Sequence, residues 1–180
     1  INGRNQHDAE SFSADPVTVL CIVLFFSIML VSAIYDLVTY TIPHFAPLLL
    51  IALFVVFAGW QGLPWAQTFG HAGVGIAMLV AGWVLFALGL LGGGDVKLFA
   101  ATSLWMGWGG MANYLIIFSL CGGILALTLL LFRRLPLPAG LARHNWIAVL
   151  HRKEQGVPYG VALNIGAILA WPQLLNLPSL

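Results

Sequence analysis

Between Val17 and Tyr35 the chain carries no charged residue, and the next side chain is Asp36. At about 1.5 Å of rise per residue, a helix over such a run crosses roughly 30 Å of hydrocarbon. Further apolar runs follow at Phe45–Trp60, Ala72–Leu91, Val96–Trp108, Tyr114–Phe132 and Pro158–Leu175. In lipid every backbone polar group must be satisfied within the protein, so runs of this kind fold as helices. The expected fold is all-α: an integral membrane protein, a polytopic bundle of about six transmembrane helices. Phe45–Trp60 is somewhat short for a crossing, and Val96–Trp108 is short unless its ends are tucked into protein.

Composition excludes a soluble domain. Of the 180 residues 61% are hydrophobic and 7% charged, with mean hydropathy +0.97; an ordinary soluble domain is about 25% charged. The net charge of +1 says little about partners. Membrane lipid is expected as one, and nucleic acid is not. The two cysteines, Cys21 and Cys121, each lie inside an apolar run and form no CxxC pair. They read as buried free thiols rather than as a zinc or redox site.

Residues 1–15 are polar and do not begin with Met. They read as an appended remnant or a disordered tail, outside a membrane-embedded domain at 16–180. Asp36 closes the first span, and Pro43 cannot continue a helix and biases Ile42 toward extended backbone. Gln61–His71 reads as a loop, Gly92–Gly94 as a break, Gly109–Asn113 as a turn, and 133–157 as the one sizeable polar segment. Arg133, Arg134, Arg143, Arg152 and Lys153 all fall in that segment, which places it in the cytoplasm. By alternation the Asp36–His44 and Gly92–Lys97 turns are cytoplasmic too, and the N-terminus lies outside. Trp60, Trp65, Trp105, Trp108 and Trp171 then gather near the outer interface, where indole rings prefer to sit.

Of the six acidic residues, Asp8, Glu10 and Asp15 belong to the tail and Glu154 to the polar loop. Only Asp36 and Asp95 belong to the membrane body, and this topology puts both at the cytoplasmic ends of their helices. Acids in lipid are costly and mark function by default. Two carboxylates brought together in a low-dielectric site cannot both ionise cheaply, so the pair holds one proton. The ionised member takes a proton from water and the protonated member polarises a carbonyl. That chemistry hydrolyses a peptide bond without an acyl-enzyme. No His-Cys or Ser-His constellation stands out, and no metal or other cofactor is expected. Gly92, Gly93 and Gly94 lack Cβ, are free to adopt φ > 0, and would let a substrate backbone approach.

Plainer readings stand beside these. Asp95 suits the N-cap of a helix starting at Val96, and Asp36 suits an interfacial acid in contact with water. Lys97 reads first as a snorkelling anchor, His44 as an interface residue, and His71 as a residue remote from chemistry. Gly122-Gly123 and the Gly70, Gly73, Gly75 run read as packing seams between helices. The rival function is a proton-coupled transporter or channel using the same acid pair, although no inverted repeat is visible.

Three motifs occur in order: Asp36 followed by Ile42-Pro43; Gly92-Gly93-Gly94-Asp95-Val96-Lys97; and Gly156-Val157-Pro158-Tyr159-Gly160-Val161-Ala162. Together they resemble the type IV prepilin peptidases, GxGD aspartic proteases, over nearly the whole chain from about residue 16. The resemblance implies removal of the short basic leader of prepilins or pseudopilins, after a Gly, at the cytoplasmic face of the bacterial inner membrane. It implies Asp36 and Asp95 as the catalytic pair. It also implies a pocket or backbone-approach role for Gly92, Gly93, Gly94, Lys97, Pro43, Tyr159 and Gly160. No cysteine-rich zinc domain is present in this sequence, so it resembles the short Flp-type, tight-adherence branch, in which N-methylation is not implied. The related signal-peptide-peptidase class would instead cut at the membrane midplane. Leu141–Lys153 reads as a basic amphipathic segment on the inner leaflet, rather than as a leader-binding site, because the leaders are themselves basic.

Overall fold

A computed structural model describes residues 15–136, 151 and 156–175. Five helices are present among them: α1 (Pro16–Thr39), α2 (Phe45–Trp60), α3 (Trp65–Ala87), α4 (Gly93–Phe132) and α5 (Tyr159–Leu175). No strand occurs among the described residues. α1, α3 and α4 are long and apolar enough to cross a membrane, and α2 and α5 are shorter apolar helices. The protein is therefore an all-helical membrane protein. Large hydrophobic side chains such as Leu48, Val55, Ile76 and Ile124 face outward, an arrangement that suits lipid and not water.

α4 is the element around which the others assemble. It packs against α2, α3 and α5, while α1 packs against α2 and α5. A straight helix of 40 residues would run to about 60 Å, twice the hydrocarbon thickness. It is broken at Gly107, whose backbone stands at φ 58° and ψ −176°, a region open in practice only to glycine. The turn expected at Gly109–Asn113 thus lies at Gly107, and the fourth and fifth expected spans are the two rods of α4.

The break frees the Leu104 carbonyl, which in a continuous helix would accept from the N–H of residue 108. His71 Nδ1 sits 2.7 Å from that oxygen and replaces the lost bond. There is no room for a side chain at Gly107, because a Cβ there would meet His71 Cε1 at 2.6 Å. His71 is part of α3, which begins at Trp65; the expected loop at Gln61–His71 is confined to its first residues. Pro64 precedes α3 and its carbonyl accepts the N–H groups of Gln67 and Thr68.

Around this break lies an aromatic core. The Trp105 ring centroid is 4.9 Å from that of Phe25 and 5.6 Å from that of Phe54. Its indole N–H donates to the Leu50 carbonyl at 3.0 Å. Trp171 of α5 stacks obliquely on Phe25. Trp105 is therefore core and not part of an interfacial belt, whereas Trp60, Trp65 and Trp108 are exposed. A tryptophan alone does not reveal which face of its helix the bundle covers. Asp15, counted with the tail, is the N-cap of α1: its carboxylate accepts from Thr18 N and from the Trp60 indole N–H, which ties α1 to α2.

The small-residue seams are selective. A Cβ on Gly82 would lie 2.9 Å from Val96, and on Gly75 3.4 Å from Leu104 and the Ala100 carbonyl. These two glycines let α3 approach α4, while Gly73 and Gly123 face open space. Gly122 packs on Tyr159 and Ala162 of α5. Cys21 is buried, Cys121 is half-buried, and both are free.

Candidate functional site

At the opposite end of the bundle from the aromatic core, α1 stops, α4 starts and α5 starts. α1 runs one turn past Asp36, so that residue is inside the helix rather than at its close. Tyr40 ends the helix in the left-handed region, φ 54° and ψ 29°, and its N–H closes on the Asp36 carbonyl at 2.8 Å. This conformation is costly for a bulky side chain, by about 1–3 kcal/mol. Thr41 to Pro43 then continue without helix until α2 begins at Phe45.

Ile42 is the piece that brings the two acids together. Its side chain is buried against the start of α4, where a Cβ on Gly94 would come within 3.0 Å of the Ile42 Cβ. A side chain at Gly94 would have to push Ile42 back. Six positions before Ile42 is Asp36, and next to Gly94 is Asp95, so this contact clamps both acids to one end of the bundle. Asp36 and Asp95 are both buried, and the negative charge of Asp36 is felt at Asp95.

Each carboxylate is held by a helix N-terminus, where backbone N–H groups have no intrahelical partner. Asp36 Oδ2 accepts the Gly160 N–H of α5 at 2.7 Å. Asp95 is the third residue of α4, not its N-cap, and its Oδ2 accepts the Gly92 N–H at 3.2 Å. The other oxygen, Asp95 Oδ1, is buried with no partner among the described residues. A buried polar atom left bare costs roughly 1–3 kcal/mol, and at a pair of acids it is a free acceptor for a water or a substrate group.

The glycines occupy the site differently from the sequence expectation. Gly93 and Gly94 are helical, and Gly92 is extended at φ −75°; none adopts a positive φ. Two of the missing Cβ atoms leave space that is filled from within the protein: a Cβ on Gly92 would lie 2.8 Å from Asp95 Oδ2 and one on Gly94 3.0 Å from the Ile42 Cβ, whereas one on Gly93 would make an ordinary contact with Phe86 at 3.6 Å. The positive φ in this region falls instead at Gly89, just beyond the end of α3 at Ala87. Gly160 is buried against Asp36, and a Cβ there would lie 2.9 Å from Oδ2. Tyr159 packs on Gly122 and Pro43 is half-buried beside Ile42.

Lys97 faces away from the protein interior. It is exposed and, with His44, lines an apolar cavity of ≈ 460 Å³ between α2, α3 and α4. Arg133, expected in a polar loop, is buried at the end of α4 and donates to the Gly156 carbonyl at 2.9 Å. In the sequence nothing separates it from Arg134, which is exposed. Residues 1–14 and the stretches 137–150 and 152–155, including the basic segment at 141–153 apart from His151, lie outside the described residues.

Comparison with known proteins bears on this arrangement. Two curated relatives, the prepilin leader peptidase/N-methyltransferases of Aeromonas salmonicida strain A449 and of Aeromonas salmonicida, are each 36% identical over 110 residues, 51% of this chain. The chain matches 38% of the length of each. No solved structure matches it. The model of the type IV leader peptidase family matches residues 23–127, a stretch that carries Asp36, Ile42, the Gly92–Gly94 run and Asp95, and on that match the chain belongs to the type IV leader peptidase family.

Proposed function

We propose that this protein is an aspartic endopeptidase of the bacterial inner membrane that removes the leader peptide of type IV, Flp-like, prepilins. The observation that carries the reading is the pair of buried acids at one end of the bundle, each fixed through one oxygen by a backbone N–H, with Asp95 Oδ1 bare. One carboxylate, ionised, draws a proton from a water as that water attacks the scissile carbonyl carbon. The other, protonated, donates to the carbonyl oxygen. Collapse of the tetrahedral intermediate breaks the C–N bond: the proton taken from water passes to the departing amine, and the hydroxyl formed from the carbonyl oxygen returns its proton to the other carboxylate as the C=O bond re-forms. Both acids end the cycle as they began it.

Fixing Oδ2 of each acid leaves one oxygen per carboxylate for the reaction, which supplies orientation without spending it at the moment of attack. The positively charged cluster of Arg134, Arg143, Arg152 and Lys153 supports a cytoplasmic site and an external N-terminus. A site at the bundle's edge suits a leader trimmed at the membrane surface.

The test is cleavage of a leader-bearing prepilin by the purified protein in detergent or lipid. Wild type cleaves, and Asp36→Asn and Asp95→Asn each lose about 10²–10⁴-fold, the range of general acid–base catalysis. Cleavage should follow a bell-shaped pH profile. It falls on the acid side as the working carboxylate is protonated, and on the alkaline side as the shared proton leaves. Undiminished cleavage by either Asn variant overturns the two-acid reading.

A further inference from the structure

Three chain segments meet at the buried end of α4. The first is Arg133 itself, whose N–H still closes the helix on the Leu129 carbonyl at 2.9 Å. The second is the approach to α5, where the Gly156 carbonyl accepts from the Arg133 guanidinium at 2.9 Å. The third is the left-handed Tyr40 that stops α1. Its hydroxyl is buried beside the same guanidinium without a hydrogen bond of ordinary geometry. Burial pushes the Tyr40 pKa up, and the neighbouring positive charge pulls against that shift.

The second and third segments carry the two ends of one contact. Four residues after Gly156 is Gly160, whose N–H holds Asp36 Oδ2. Four residues before Tyr40 is Asp36, whose carbonyl the Tyr40 N–H closes. A side chain bonded to one segment and buried beside the other sets the distance between donor and acceptor. Only a planar fork of several donors is built for that; an ammonium is a point charge with no fixed fork.

We infer that Arg133 is a positioning residue for the reaction: by tying the Gly156 carbonyl to the Tyr40 turn it fixes the Gly160 N–H on the Asp36 carboxylate. Its action on the reaction runs through the Gly160 N–H. The rate part of the inference rests on the peptidase reading above, and the geometric part does not.

Tyr159-Gly160 is the one Tyr-Gly pair in the sequence. Labelling tyrosine carbonyl carbons with ¹³C and glycine nitrogens with ¹⁵N therefore singles out the Gly160 amide by NMR of the full chain in detergent. An N–H bound to a carboxylate resonates downfield. In Arg133→Met that resonance moves upfield, and the kcat for prepilin cleavage falls between about tenfold and 10²-fold with KM unchanged, as for a misplaced catalytic group. Arg133→Lys, which keeps a charge and a donor for Gly156, restores part of both. Arg134→Met, at an exposed position, changes neither.

If Arg133→Met does not fold, Arg133→Gln, whose shorter amide falls short of the Gly156 carbonyl, carries the same expectation. A downfield Gly160 resonance that persists in the variant overturns the inference, as does a moved resonance with an unchanged kcat. Wild-type protein that cuts no prepilin would overturn the peptidase reading instead, and the resonance alone would then decide whether Arg133 sets the Gly160–Asp36 contact.

Discussion

At the end of the bundle where α4 breaks, buried polar groups hold helices to one another; at the end where α1 stops, they hold carboxylates. His71 takes the carbonyl that the break at Gly107 releases, and the Trp105 indole takes the Leu50 carbonyl. At the other end the Gly160 and Gly92 N–H groups are turned onto Asp36 and Asp95, and Asp95 Oδ1 is left without a partner. The first arrangement spends its hydrogen bonds on stability. The second leaves a buried acceptor unsatisfied, which costs stability and keeps an oxygen available for chemistry. Substitutions at the two ends should therefore separate: rate at one, stability at the other.

The largest separation is expected at Gly160. A Cβ there falls 2.9 Å from Asp36 Oδ2 and 3.0 Å from its Cβ, closer than real contacts allow. Gly160→Ala must push the carboxylate or the start of α5 aside. A displacement near 1 Å at a catalytic group costs about 10²-fold in rate. Prepilin cleavage should drop by that order while thermal unfolding shifts little, because the α5 aromatic contacts lie at the far end. A wild-type rate in Gly160→Ala would erase the distinction between the two ends.

The converse case is Gly107→Ala. Its backbone stands where side chains cost about 1–3 kcal/mol, and the new Cβ would strike the His71 ring. The midpoint of thermal unfolding should fall sharply, with the rate per folded molecule close to wild type. His71→Ala should act in the same direction and less: it removes the partner of the Leu104 carbonyl, at about 1–3 kcal/mol. If His71→Ala abolished cleavage by folded protein, the far end would have a share in the chemistry that its distance from Asp36 gives no reason to expect.

What was legible in the sequence follows what lipid forces on it. Uninterrupted apolar runs have to be helices, and two acids in such a chain have to be explained, so the helical class could be read from residues alone and Asp36 and Asp95 could be singled out as candidates. The break in α4 could not be placed, because Gly107, Gly109 and Gly110 look alike until His71 is seen to fill the space beside one of them. Trp105 looked like Trp108 because indole rings suit both an interface and a core. Arg133 was indistinguishable from Arg134, since charge next to an apolar run says which side of the membrane it is on and not whether it turns inward. The closeness of Gly94 to Ile42 depends on a segment far away in the chain and could not be read from the glycine run.

A pair of substitutions between the two ends, along α3, sharpens the comparison, and the smaller effect of the pair is expected at Gly73. Gly73 and Gly82 are both helical; Gly73 is half-buried and Gly82 is buried. At Gly73 nothing lies within 4 Å of a new Cβ. Gly73→Ala should then stabilise the protein by about 0.5–1 kcal/mol, chiefly by limiting the unfolded chain. At Gly82 the same atom meets Val96 Cγ1 at 2.9 Å, and Val96, β-branched and stiff, has little freedom to yield. Gly82→Ala should lose that gain and cost about 1–3 kcal/mol more in overpacking. Val96 neighbours Asp95, so any push on α4 from Gly82 is felt first at the carboxylate. Comparing cleavage rates in the two variants therefore asks how stiffly Ile42 and Gly92 hold the start of α4. Unchanged rate with lowered stability in Gly82→Ala means that the clamp absorbs the strain; a slowed rate means that Asp95 moves with Val96.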